Sequence, residues 1–351
     1  MPYSNIDKPS SYFTPKTYAG TGATQSITGL GFQPDWVWFK DRTNAYGHDL
    51  YDSARGATYR FQSNDTGEES LTATGLTSFD SDGFSMGGFA GQNSSGANYI
   101  SWCWKANGTG VSNTSGSITS TVSANTTSGF SIVTYTGNGT NGATIGHGLG
   151  VAPKMVIPKC RSHGSTDWSC YHASLSSSNN IFLNLTQGQN PISNRNNGGI
   201  SPVSSTTFTV AQGDTTLNSV NATGRTYIAY CFAEIKGFSK ISSYTGNGSA
   251  DGTFVYTGFK PAFVIIKRSD TSGYGWYMFD NKRNTFNPED KILEAQSTTA
   301  EYTGTVMDFT SNGFKLRNSG SDVNPSGGTI IYMAFAENPF VSSKGIPTTA
   351  R

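Results

Sequence analysis

The sequence predicts an all-β protein: three tandem antiparallel β-sandwich domains, jelly-roll or lectin-like, built from an internal repeat. Three observations predict it. Glycine contributes 42 residues and aromatics 13%, against 13% charged residues, a mixture that favours strands joined by tight turns over amphipathic helices. No window of about 12 residues carries apolar positions at helical spacing without glycine or β-branched interruption, so almost no helix is expected. The chain also resembles itself three times over, a signal that takes precedence over any motif.

Each copy opens on an aromatic residue followed by alternating glycines: Tyr18-Ala19-Gly20-Thr21-Gly22, Tyr135-Thr136-Gly137-Asn138-Gly139 and Tyr244-Thr245-Gly246-Asn247-Gly248. Pro34, Pro153 and Pro261 then introduce apolar strands ending in Lys40, Lys159 and Lys267. A second aromatic strand follows at His48–Asp52, Trp168–His172 and Trp276–Asp280, placed to form a hairpin with the first. Asp82-Gly83-Phe84 and Asn312-Gly313-Phe314 are turn-plus-strand signals, because these residues accept positive φ; the second copy has Thr207-Phe208-Thr209 and lacks the glycine. The closing strands, Tyr99–Ala106, Tyr227–Glu234 and Ile330–Glu337, alternate bulky and small residues. Alternate residues of a strand share a face, so one face is bulky and the other admits a second layer. Turn signals every 8 to 15 residues or so complete the sandwich pattern.

At 351 residues the chain is long enough for two or three domains, each burying its own core. The boundaries drawn are an attachment arm over 1–11, repeats over 12–106, 129–235 and 236–340, a flexible or extended Ser/Thr/Gly-rich linker with at most one short strand over 107–128, and a tail over 341–351.

The formal charge is +1, from 24 basic and 23 acidic residues, which speaks against nucleic-acid binding because no basic stripe can neutralise phosphate. The amino terminus has no signal-peptide pattern and no segment reaches the roughly 18 apolar residues of a membrane span. Synthesis in a cytoplasm without membrane insertion is expected. Cys103, Cys160, Cys170 and Cys231 are too few and too irregular for a disulfide framework. Buried free thiols are expected.

Several motifs could carry chemistry. Gly83-Phe84-Ser85-Met86-Gly87 matches a nucleophile elbow, but no helix is predicted after it, and Thr209 and Lys315 stand in place of the serine. Gly137-Asn138-Gly139-Thr140-Asn141-Gly142 matches a dinucleotide-binding string without the helix that would meet pyrophosphate. Asp80-Ser81-Asp82-Gly83 offers oxygens for calcium but has no closing Glu. Cys160, His163, Cys170 and His172 could ligate zinc if their strands form a hairpin, against the ordinary hairpin as default. Trp168, Trp276, Tyr274 and Tyr46 would be sugar platforms if exposed and core if not. Asp52 with Arg55 and Asp280 with Arg283 read as structural ion pairs rather than as the two carboxylates of a glycosidase, which stand about 5 to 10 Å apart. No catalytic residue, metal or cofactor is assigned.

The opening Tyr-X-Gly-X-Gly, the segment Gly29-Leu30-Gly31-Phe32-Gln33-Pro34-Asp35-Trp36-Val37-Trp38-Phe39-Lys40, Asp52-Ser53-Ala54-Arg55-Gly56 and Ala334-Phe335-Ala336-Glu337-Asn338-Pro339-Phe340 resemble a family of repeated β-domain proteins of marine bacteriophages and cyanophages, associated with virions and tail fibres. The resemblance runs from about Tyr18 to Phe340, and the family has no assigned activity to carry over to particular residues. It implies a virion structural protein at the tail, with other virion proteins as partners, a homo-oligomeric state and a host surface glycan as a further partner. Capsid decoration is the alternative, and a glycan-cleaving enzyme a third reading. A compact appendage is expected, since the chain has neither heptads nor a collagen-like shaft.

Overall fold

The computed structural model describes residues 3–194, 198–211 and 219–347. Among them, regular structure is almost entirely antiparallel strand; helix is confined to Ala90–Asn93 and the 3-10 turns Pro9–Ser11 and Ile192–Asn194. One strand order recurs three times. The opening strand (Phe13–Ala19, Phe130–Thr136, Ser239–Thr245) pairs with the closing strand (Asn98–Trp104, Thr226–Phe232, Thr329–Pro339). The closing strand pairs with the proline-led strand (Trp36–Asp41, Met155–Cys160, Phe259–Arg268). Next come the second aromatic strand (Asp49–Asp52, Ser169–His172, Trp276–Asp280) and a fourth (Tyr59–Gln62, Asn179–Phe182, Glu289–Glu294). The predicted hairpins form, with Trp36 opposite Asp52, Met155 opposite His172 and Phe263 opposite Asp280.

Each repeat adds three outer strands. These are Gln25–Thr28, Gly83–Met86 and Leu76–Asp80 in the first, and Ala143–Gly146, Thr207–Ala211 and Gly199–Val203 in the second. In the third they are Phe254–Tyr256, Gly313–Leu316 and Tyr302–Thr310, and they continue the main sheet, because Tyr302–Thr310 pairs with Glu289–Glu294.

The closing strands show how alternation divides the core. Trp104, Phe232 and Phe335 occupy one register position, opposite Trp36, Met155 and Phe263. With Trp102, Tyr230 and Met333 they face a central cluster to which all three repeats contribute. The small residues between them, Cys103, Cys231 and Ala334, face three separate clusters, one per repeat, beneath the outer strands. Small side chains there let the outer strands approach. Both faces of each main sheet are therefore buried, and Trp36–Asp41 and Met155–Cys160 are buried at every position.

Three expectations change. Separate cores were expected, yet a fourth is shared: Trp36 stacks on Tyr230 with centroids 4.4 Å apart, Phe13 on Phe335 at 4.9 Å, and Trp102 contacts Phe263 at 5.6 Å. The bulky face of each main sheet has no outer strands to cover it, so it is covered by the other two repeats. The 107–128 segment is more than a linker: Val111–Asn113 and Ser120–Asn125 pair, and the latter joins Phe130–Thr136. This hairpin covers the edge of an opening strand that would otherwise present unpaired backbone groups. The attachment arm packs on its own chain. Ile6 enters the central cluster, Ser4 is buried, and the Asp7 carboxylate accepts the Ser343 N–H at 2.7 Å.

Candidate functional site: repeat junctions and a surface cleft

The motifs singled out in the sequence are held in structural roles. The Ser85 hydroxyl donates to Asp80 Oδ2 at 2.6 Å and lies 2.7 Å from Ser26 Oγ. A helix does follow, contrary to expectation, but it is the four-residue Ala90–Asn93, set apart from the strand by Gly87, Gly88 and Phe89, and so makes no elbow. In the glycine string, the N–H of Gly137 donates to Arg225 O and that of Gly139 to Asn221 O. Asp82 accepts the N–H groups of Gly29 (3.0 Å) and Gly31 (2.6 Å), which fixes a turn.

Cys160 and Cys170 lie on opposite faces of their sheet, one in the second repeat's cluster and the other in the central one. They cannot converge on one ion. Among the described residues no three His, Cys, Asp or Glu side chains are grouped to hold a metal. All four cysteines are free and buried, and burial pushes the Cys160 and Cys170 thiols up. His163 sits half-buried on a loop, and His172 Nε2 lies 3.2 Å from Tyr332 O.

Trp168 and Trp276 are buried, so neither offers a face to a sugar. Their indole N–H groups donate across repeats, to Gln62 O at 3.0 Å and Phe182 O at 2.9 Å. Tyr274 is half-buried under Arg268 at 5.0 Å, and its hydroxyl bonds Ser321. Tyr46 is exposed, while its carbonyl accepts from Lys40 at 2.8 Å.

The Asp–Arg pairs prove to be the centres of two repeat junctions. Arg55 Nε donates to Asp52 Oδ2 at 2.5 Å and Arg283 Nε to Asp280 Oδ2 at 2.6 Å, with all four side chains buried. The same carboxylates accept from a neighbouring repeat, Asp52 from the Tyr230 hydroxyl at 2.7 Å and Asp280 from the Trp102 indole at 3.1 Å. A second acid completes each set: Glu69 pairs with Arg161 at 3.0 Å, and Glu301 with Arg42 at 2.8 Å. At the junction of the second and third repeats the equivalent places hold His172, Leu175, Met333, Gln189 and Ser269. The backbone bond survives there, since the N–H groups of Glu69, Glu301 and Gln189 donate to the carbonyls of Arg161, Arg42 and Ser269. The ionic network is thus present whole at two junctions and replaced whole at the third.

Lys40, Lys159 and Lys267 are buried at equivalent places, and their ammonium groups are held by carbonyls. Lys40 donates to Asp41, Tyr46 and, across the junction, Thr298; Lys159 to Thr166; Lys267 to Tyr274 and, across the junction, Thr186. Burial lowers each to about 8. His48 occupies the place of Trp168 and Trp276. Its Nδ1 accepts the Trp38 indole N–H at 2.9 Å, which leaves the ring proton on Nε2, beside the Glu294 backbone. Burial, reinforced by Lys40, holds its pKa well below the usual value.

Of the clefts outside this network, one combines two phenols with two ammonium groups. It lies where the second repeat passes into the third, has a volume of about 200 Å³, and is lined by Tyr3, Glu234, Lys236, Ser239, Lys240 and Tyr256, among others. The Tyr3 and Tyr256 hydroxyls are 2.5 Å apart, and burial followed by the Tyr256 contact raises the Tyr3 pKa to about 12. The Lys236 ammonium stands 5.0 Å over the Tyr3 ring, and Lys240 pairs with Glu234 at 2.6 Å. A single, ion-paired carboxylate among phenols and ammonium groups suits binding better than acid–base chemistry. Sequence reasoning missed this cleft, although the aromatic strand Phe254-Val255-Tyr256 was a signal for it.

Residues 8–339 match a family model described as a domain of unknown function (DUF7483). The match spans all three repeats. No curated protein and no solved structure matches the chain.

Proposed function

From the premise that the chain belongs to the DUF7483 family over residues 8–339, we propose that it is a non-enzymatic structural protein of a bacteriophage particle. In this reading three β-sandwiches close around a shared core to form a compact tail or tail-fibre component that contacts the host surface. The observation that carries it is the use of the conspicuous ionisable groups. Asp52, Asp280, Lys40 and Lys267 bond across repeats, and Arg55 and Arg283 pair with those two carboxylates, which builds a rigid body rather than a reactive centre. Other virion proteins and further copies of the chain are its partners.

Immunogold labelling of intact phage with an antibody to the purified chain tests this. Gold at the tail is the expected result. Gold over the head would replace the tail role with capsid decoration, and an unlabelled particle would overturn the virion reading. Light scattering on the purified chain tests self-association, with a trimer or hexamer expected for a component placed around a tail axis.

A further inference from the structure

Resting on the reading of the chain as an adhesive surface protein, we propose that the cleft between Tyr3 and Tyr256 binds a saccharide that carries a carboxylate, such as a uronic or sialic acid residue of a surface glycan.

The three repeats act as internal controls. The outer strand of the third places Phe254, Val255 and Tyr256 opposite Lys315, Phe314 and Gly313. Val255 is the buried, structural position, and its equivalents Ile27 and Ile145 lie opposite Phe84 and Phe208. The flanking positions are Ser26 and Thr28 in the first repeat and Thr144 and Gly146 in the second. This strand forms without aromatic rings in two of its three copies. In the third both rings face outward, and Tyr256 is 52% exposed. The packing of the strand itself does not account for them; beyond it, Tyr256 meets the Tyr3 hydroxyl at the cleft.

The chemistry around Tyr256 fits an acidic sugar. An exposed ring face stacks on the C–H face of a pyranose, and phenol hydroxyls exchange hydrogen bonds with its hydroxyls. Lys236 is exposed, and among the described residues no ion pair engages it. Lys240 is neutralised by Glu234. Two ammonium groups against one carboxylate leave one positive charge at the mouth, which a neutral sugar would not use. The volume of about 200 Å³ accommodates one pyranose residue.

The test is calorimetric titration of the full chain with oligosaccharides ending in glucuronic, galacturonic or N-acetylneuraminic acid, alongside neutral glucose and galactose counterparts and inorganic phosphate. Tyr256→Thr installs the residue that the first repeat carries at this place, so folding is preserved; Lys236→Gln removes the free charge. An acidic sugar should bind, with each variant weakening it by about tenfold and neutral counterparts binding at least about tenfold more weakly. The proposal is overturned if no acidic sugar binds, if both variants bind like the parent, if neutral sugars bind equally, or if phosphate binds as well as the acidic sugar. Gold on the particle without saccharide binding would sink the cleft alone. Saccharide binding with no label on the particle would sink the particle reading and leave the cleft standing.

Discussion

Removing the Asp52 carboxylate leaves the Arg55 guanidinium buried without its main partner and deprives the Tyr230 hydroxyl of its acceptor. Breaking one side of a buried pair costs about 3–5 kcal/mol, so Asp52→Ala should lower urea-unfolding stability by about that much. The second–third junction supplies the rescue. Replacing Asp52, Arg55, Glu69, Arg161 and Tyr230 together by the His, Leu, Gln, Ser and Met found there should recover most of the loss, because the set is exchanged without stranding a charge. Acid sensitivity belongs to the same scale. Folded His172 is held down to about 4 by burial, whereas the unfolded residue titrates near ~6.5. The unfolded chain therefore binds the extra proton first, and stability falls as pH drops from about 6.5 towards 4. Lys40, Lys159 and Lys267, lowered to about 8 by burial, act alike at the other end. The share of stability that the lysines control rises between about pH 8 and 10.5, where the unfolded lysines hold protons that the folded ones have lost, and above about pH 8.5 the four buried thiols, pushed up by burial, oppose it. Tm measured against pH, with His172→Asn flattening the acid limb, checks the first sign, and Lys267→Met compared with the parent between about pH 8 and 10.5 checks the second, since the variant should lose the lysine's upward share of the slope. The Asp–Arg pairing was legible in the sequence from spacing alone, but its partners in other repeats were not, since no local pattern records which sheet face meets which.

At the scale of strands, the glycine absent from the second repeat has changed sides. Gly83 lies opposite Thr28 and Gly313 opposite Tyr256, whereas Thr207 lies opposite Gly146. A Cβ on Gly313 would stand 2.0 Å from the Val255 carbonyl oxygen. Gly313→Ala must therefore shift backbone, and a destabilisation of about 1–3 kcal/mol is expected, read as a lower Tm. Closing strands were the most legible elements, because their large–small alternation reports two packed faces directly. The hairpin over Val111–Asn113 and Ser120–Asn125 was hidden, because a Ser/Thr/Gly/Asn run that pairs along an edge has the composition of one that does not. The Tyr256 cleft was legible only on aligning Gln25–Thr28, Ala143–Gly146 and Phe254–Tyr256, where two exposed rings depart from the pattern.

For the whole molecule, the number of repeats could be read from the sequence and their closure could not. The hint was the nearly unbroken apolar run Trp36-Val37-Trp38-Phe39, which suits a strand buried on both faces. All six tryptophans lie in the central cluster. Intrinsic fluorescence should thus report the shared core, with one cooperative transition on unfolding the full chain. Residues 12–106 or 236–340 expressed alone would expose that face, and should show neither a cooperative transition nor a near-UV circular dichroism signal. The contacts also have a direction: Trp276 of the third repeat reaches the second, Trp168 of the second reaches the first, and Trp102 of the first reaches the third. An open solenoid gains or loses units during evolution because its end units leave their stacking faces free. Here the last unit meets the first, so inserting or deleting a copy would open the circle, and lineages of this protein should vary in loop length while holding the copy number at three.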